Sequence, residues 1–191
     1  ELHLHDDGPD FAAWCSYKYL NSGPGGIAGI FVHERHARSF NLPRFTGWWG
    51  HNKATRFLMG PTFDPIAGAE GWQLSNPPIF QLAALRASLD LFSAAGMKAL
   101  RKKSILITEF FRECLDKNNK IQLITPRNPE ERGTQFSLRI QGDSKKVCAQ
   151  LFEQGVVCDY REPGIIRAAP APLYTRFEDV VRFLEILEPM L

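Results

Sequence analysis

Residues 14–26 read Trp-Cys-Ser-Tyr-Lys-Tyr-Leu-Asn-Ser-Gly-Pro-Gly-Gly, and the rest of the chain is organised around them. An apolar run from Asp10 to Cys15 leads into Lys18, which sits between Tyr17 and Tyr19. Gly23, Gly25 and Gly26 follow, and then a second apolar run, Ile27 to Val32. Strand, lysine, glycine-rich loop and strand would set an amine at a strand end in tight, partly buried surroundings. Desolvation there disfavours the ammonium and favours a neutral, nucleophilic amine, the form that condenses with an aldehyde. One lysine in a glycine-rich turn does not by itself separate this from an ordinary surface lysine after a strand.

Downstream, Glu34 to Phe40 reads as a short, charged helix, and Asn41 to Gly71 shows no period. An irregular stretch of that length is uncommon in a compact domain unless it works for its place, and this one holds Trp48, Trp49 and His51. His51 is expected to make a structural hydrogen bond to a loop carbonyl. At Ser75-Asn76-Pro77-Pro78 the longest helical signal begins, with Asn76 suited to the N-cap and Pro77 to the first helical position. Ile79, Leu82, Leu85, Leu89 and Phe92 recur at helical spacing, Gly96 interrupts, and a second helix runs from Met97 to about Lys117. From there the pattern is α+β. Strands are expected at Ile121 to Ile124, Thr134 to Ile140, Val156 to Asp159 and Ile165 to Ala168. Helices are expected at Ser144 to Gln154 and Arg176 to Leu187, with Ser144 and Thr175 as N-caps. Arg167, among residues that read as buried, calls for a carboxylate. That carboxylate is either a ligand's or an internal acid such as Glu178 or Asp179; Arg132 and Arg139 have no comparable claim.

Upstream, Glu1 to His5 alternates like a short strand, with His3 and His5 facing solvent rather than a metal. Asp6-Asp7-Gly8-Pro9 is a turn by composition.

Four stretches together resemble one family. WCSYKYLNSGPGGIAGIFVHERH (residues 14–36), GWWGH (residues 47–51), SNPPI (residues 75–79) and IIRAAPAPLY (residues 165–174) are similar, in order and spacing, to kynureninase, a pyridoxal-phosphate enzyme of fold type I. The resemblance implies an α/β fold: residues 1–95 as the C-terminal part of the large cofactor-binding domain, a mixed sheet with helices, and residues 96–191 as a small α+β domain. It further implies hydrolysis of kynurenine or 3-hydroxykynurenine between Cβ and Cγ, giving anthranilate or 3-hydroxyanthranilate and alanine. That step belongs to tryptophan degradation and NAD precursor synthesis, in a cytoplasmic homodimer with shared active sites. By the same resemblance Lys18 binds the cofactor aldehyde and serves as base at the substrate α-carbon. Tyr17, Trp48 and Asn76 contact the cofactor phosphate, Asn76 and Trp49 flank the aryl group, and Arg167 clamps the α-carboxylate. Trp49 stands where a phenylalanine is common, and the aromatic usual near Asp7 is missing. Asn76 stands where some relatives carry a smaller hydroxyl residue, so a preference for 3-hydroxykynurenine is expected.

The start Glu-Leu-His-Leu-His reads as an interior one, and the resemblance, which covers only the C-terminal part of the family's length, implies that the chain holds half an active site and binds cofactor poorly alone. The acid that pairs with the pyridine nitrogen would lie in the other half. Two rivals stay open: another fold-type-I reaction, such as an aminotransferase or cysteine desulfurase, and a truncated, non-catalytic partner-binding piece.

Composition sets the outer limits. The 191 residues carry 23 Lys+Arg against 21 Asp+Glu, formally +2, which leaves no face-wide basic field for nucleic acid. Arg101-Lys102-Lys103 and Lys145-Lys146 read as solvated helix surface. Cys15, Cys114, Cys148 and Cys158 lack CxxC or metal-like spacing, which points to free thiols and no metal site. No apolar run approaches the roughly 20 residues that span a bilayer, and no signal-peptide pattern is present.

Overall fold

The computed structural model describes residues 2–191 and divides into two compact units, Glu1–Leu91 and Phe92–Leu191. The division falls inside a long helix, α2 (Ile79–Ala95).

The first unit opens on a single helical turn, α1 (Leu4–Asp7), where alternation predicted a strand. Local bonding decides the difference. The His3 N–H donates to Asp7 Oδ2 (2.9 Å), and Gly8, at φ +74°, closes the turn with its N–H on the Leu4 carbonyl. His3 and His5 are therefore not neighbours along a strand. The His5 ring stacks on His33 at 4.9 Å. His33 Nδ1 accepts from the Arg35 N–H, which leaves the proton on Nε2 to donate to the His5 carbonyl (3.1 Å).

Strands β1 (Phe11–Trp14) and β2 (Gly29–Val32) form an antiparallel ribbon with Phe11 opposite Val32 and Trp14 opposite Gly29. Gly29 is required there, because a Cβ would enter the Trp14 indole. The ribbon is not buried as the apolar runs predicted. Phe11, Trp14 and Ile30 are 48%, 42% and 45% exposed, because two strands alone have two faces to cover. Every buried side chain of the first unit, among the described residues, is polar: Ser16, Ser22, His33 and Ser88. The expected helix over 34–40 shrinks to a 3₁₀ turn, Glu34–His36, while residues 41–68 are irregular as expected.

Helix α2 begins at Ile79, with the Leu82 N–H on the Pro78 carbonyl (3.0 Å), so Asn76 is not its N-cap. The reason is the doubled proline. A residue that precedes proline is driven out of the helical region, so Pro77 cannot open a helix while Pro78 follows it. Gly96, at φ +79°, separates α2 from α3 (Met97–Leu115) as the sequence predicted.

The second unit holds the hydrophobic core. An antiparallel sheet has the order β3 (Ile121–Leu123), β4 (Phe136–Ile140), β6 (Ile165–Ala168), β5 (Asp159–Arg161). Alternation sends Phe136, Leu138, Ile140, Ile166 and Ala168 to one face. There they meet Ile107, Phe111 and Leu115 of α3, Val147, Cys148 and Leu151 of α4 (Ser144–Glu153), and Val180, Phe183, Leu184 and Leu187 of α5 (Phe177–Leu187). Phe111 stacks on Phe136 at 5.3 Å and meets Phe183 edge-on at 5.4 Å.

Several boundaries differ from expectation for local reasons. Asp143, not Ser144, caps α4: its carboxylate accepts from the N–H groups of Lys145 and Lys146. Ser144 instead donates to the Gly164 carbonyl (3.0 Å). Arg176, not Thr175, precedes α5, with its N–H on Asp179 Oδ2 (2.8 Å). Strand β5 begins at Asp159 rather than Val156, because the turn at Glu162-Pro163-Gly164 sets the hairpin register. Of the basic cluster at 101–103, Arg101 is not solvated surface: its guanidinium reaches the carbonyls of Pro129 and Arg132.

Candidate active site

The Lys18 segment is a small closed loop. Ser16 and Ser22, 1% and 3% exposed, join their hydroxyls at 2.7 Å across its base. The Ser22 N–H bonds the Ser16 carbonyl (3.1 Å), and Ser16 Oγ donates to the Ile27 carbonyl. Gly26 lies against this pin so closely that a Cβ would strike Ser22 Oγ. On the far side, Ser88 of α2 donates to the Leu20 carbonyl. Pinned from below, the loop pushes Tyr17, Lys18 and Tyr19 outward, and all three are exposed. The tight packing expected around the amine is thus beneath it, not about it. Lys18 Nζ stands 5.6 Å from the centre of the Tyr17 ring. The Tyr17 phenol is held above its ordinary pKa, chiefly by a side-chain hydrogen bond with Cys15.

The irregular stretch and the segment leading into α2 bring three predicted residues to one cleft. Trp48, Trp49 and Asn76 line a hollow of about 320 Å³ with Arg56, Phe57 and Ser75. Arg56 organises it. Its guanidinium lies 4.7 Å from the Trp49 ring centre and donates to the carbonyls of Trp49 (3.1 Å) and His51 (3.2 Å). The loop bearing both tryptophans is therefore hung on one cation. His51 keeps a structural role with other partners than expected. Its Nδ1 accepts from the Asp64 N–H (3.4 Å), and its Nε2 lies 3.1 Å from Thr55 Oγ1, so the ring meets no carbonyl among the described residues.

Arg167 belongs to the second unit. Ile166 and Ala168 face the core, so alternation turns Arg167 to the opposite, open face of the sheet. Its internal partner is neither Glu178 nor Asp179 but Asp159, directly across the β5–β6 pair. Arg167 and then Arg161 hold the Asp159 carboxyl below the usual carboxylate range. Arg167 Nε is buried and has no hydrogen-bond partner among the described residues. The arginine that is fully buried is Arg132, on Thr108 (2.6 Å) and Glu109, with Phe136 under its guanidinium at 5.0 Å.

The four cysteines are free thiols. Cys158 is pushed up to about 12 by burial, and Cys148 is raised for the same reason.

Sequence reasoning missed Ser16, Ser22, Ser88, Arg56 and Asp159. The serines and Arg56 carry no periodic signal. Asp159 was readable, because with Pro163 at the hairpin centre the residue opposite Arg167 is Asp159.

Comparison with known proteins adds the following. Residues 100–187 match the family described as Kynureninase C-terminal domain. The chain is 61% identical over 189 residues to the kynureninase of Myxococcus xanthus, covering 98% of this chain and 44% of that one. It is 56% identical over 187 residues to the kynureninase of Koribacter versatilis, covering 97% and 44%. The chain therefore spans less than half the length of these curated relatives. Among solved structures, the cystine C–S lyase C-DES in complex with cysteine persulfide aligns with TM-score 0.76 at 20% identity, over 97% of this chain and 48% of that one. The apo cysteine desulfurase of Thermococcus onnurineus aligns with TM-score 0.75 at 19% identity, over 98% and 48%. At such identities the likeness concerns the fold, an α/β one.

Proposed function

We propose that this chain, similar along 97–98% of its length to the C-terminal part of kynureninases, carries the lysine-bearing portion of a pyridoxal-phosphate hydrolase. The reaction is cleavage of kynurenine or 3-hydroxykynurenine between Cβ and Cγ, to anthranilate or 3-hydroxyanthranilate and alanine. The observation that carries the reading is the 61% identity to a kynureninase over 189 residues, 98% of this chain. In this reading residues 1–95 belong to the large cofactor-binding domain and residues 96–191 form the small one. The active form is a cytoplasmic homodimer with shared sites, working in tryptophan degradation towards NAD. No helix among the described residues is long and apolar enough to cross a membrane.

The side chains present suit this cofactor. Lys18 offers a primary amine on a loop pinned at Ser16 and Ser22, so its position is defined by backbone even though the amine is exposed. Tyr17 sets a phenol beside it, and Trp48 and Asn76 set an indole and an amide on one cleft. Each can bind phosphate oxygen by donation. Bound pyridoxal phosphate supplies the electron sink for charge that develops at the substrate α-carbon.

The protein's part follows from side-chain chemistry. Lys18 would hold the cofactor aldehyde through its amine, and as a free amine it would take the proton from the substrate α-carbon as general base. Tyr17 would donate to the cofactor phosphate, and its phenol would be placed to pass a proton to or from Lys18. Trp49 forms a wall for the aryl group, and Asn76 presents a donor and an acceptor to a ring hydroxyl. Arg167, with an unpartnered buried Nε, receives the substrate α-carboxylate.

The test is borohydride reduction of the complete, cofactor-loaded subunit, followed by peptide mapping. The cofactor mass is expected on Lys18. Finding it on another lysine would overturn the site.

A further inference from the structure

Arg167 does not stand alone on the open sheet face. Asp159 faces it across the β5–β6 pair; Asp159 Oδ2 accepts from Arg167 Nη2 and forms an ion pair with Arg161 Nη2 at 3.1 Å. One carboxylate between two guanidiniums leaves this corner with an excess of one positive charge. The side chains of Arg167 and Asp159 are 31% and 44% exposed, so a solute can reach them.

The backbone beneath them is rigid. Strand β6 is hydrogen-bonded on both sides, to β4 and β5, and the hairpin that joins it to β5 closes through the Gly164 N–H on the Arg161 carbonyl (3.1 Å). A free arginine on such a face would sample many rotamers, and a ligand would have to freeze them on binding. Asp159 removes that freedom beforehand. It does not cancel the charge, because Arg161 shares the carboxylate. It also leaves Arg167 Nε without a partner.

We propose that Asp159 is the positioning residue for Arg167: it holds the guanidinium in one orientation, with donors turned to receive a carboxylate, while Arg161 keeps the cluster cationic. The inference rests on the reading of Arg167 as the receptor for the substrate α-carboxylate.

The test uses the complete holoenzyme and compares Asp159→Asn, Asp159→Glu, Arg167→Ala and the double variant Asp159→Asn/Arg167→Ala. For a partly exposed charged pair, Asp159→Asn is expected to raise KM for the amino-acid substrate about three- to tenfold while kcat stays within about twofold. Asp159→Glu recovers part of the loss, since it keeps a carboxylate. The double variant is no worse than Arg167→Ala, because nothing remains to be oriented. Inhibition by the decarboxylated substrate amine, which has no α-carboxylate, is unchanged by Asp159→Asn. An unchanged KM in Asp159→Asn, or equal weakening of substrate and decarboxylated amine, would overturn the positioning role. Arg167→Ala with an unchanged KM would overturn the parent reading of Arg167 instead, so the two failures are distinct.

Discussion

Removing the Glu109 carboxylate should damage the second unit more than removing the arginine it serves. Arg132 has a side chain 1% exposed, and burial holds its pKa below the ordinary arginine value. Its charge rests on Glu109 and on Thr108 Oγ1, at 2.6 Å. Glu109 itself is 30% exposed and keeps a second cation, Arg112, at 3.0 Å. Glu109→Ala therefore strands a buried guanidinium, a loss of about 3 kcal/mol, at the low end for breaking a buried pair because water reaches the glutamate side. Arg132→Met takes the buried charge away and leaves Glu109 with Arg112, which costs about 1 kcal/mol. The pair of changes together should cost less than their sum, since the stranded charge is gone. Urea unfolding followed by helix circular dichroism reads the effect. At a slope near about 1.5 kcal/mol per molar, Glu109→Ala moves the midpoint down by about 2 M. All four tryptophans lie in Glu1–Leu91, so their fluorescence reports the other unit and should be unmoved. A larger loss for Arg132→Met than for Glu109→Ala would refute the reasoning.

Three further outcomes are expected. Asn76→Thr in the complete enzyme should shrink a preference for 3-hydroxykynurenine by about 2- to 13-fold in kcat/KM, the worth of one neutral hydrogen bond, with cofactor loading kept; equal effects on both substrates, or a wild-type preference for kynurenine, would dismiss the idea. Maleimide at pH 8 should label exposed Cys15 well before buried Cys148 and half-buried Cys158, the latter pushed up to about 12, as mass mapping would show. Asp116 is held below the usual carboxylate range first by Arg127, and a depressed carboxylate gives stability that is present above its unfolded pKa and lost as pH falls through its folded one. Arg127→Gln raises that folded value, so acid unfolding should begin at a higher pH than in the wild type; an unchanged acid midpoint would count against the pair.

Where the sequence was a sufficient guide, short-range rules were at work. The Gly96 break needs a left-handed residue between two helices, and only glycine takes that conformation at little cost. Strand β6 sits where its apolar run placed it, and α4 and α5 follow their 3.6-residue period into the core. Where a second local rule competed, the reading slipped by a few residues. Pro78 cancelled Asn76 as a cap, and Asp7 with Gly8 turned an alternating start into a helical turn.

The candidate site divides in the same way. The chain's own letters decided which chemistry is on offer: an amine at Lys18, a phenol at Tyr17, indoles at Trp48 and Trp49, an amide at Asn76 and a guanidinium at Arg167. Residue type sets donor, acceptor and charge without reference to any neighbour. Only the tertiary structure decided what stands beside each group. It placed the serine pin under Lys18, hung the tryptophan loop on Arg56, and turned Arg167 away from the core to face Asp159. Those pairings join residues six to eight positions apart, and loop closure and hairpin register make them. No local propensity encodes them, because each depends on two segments being brought together at once.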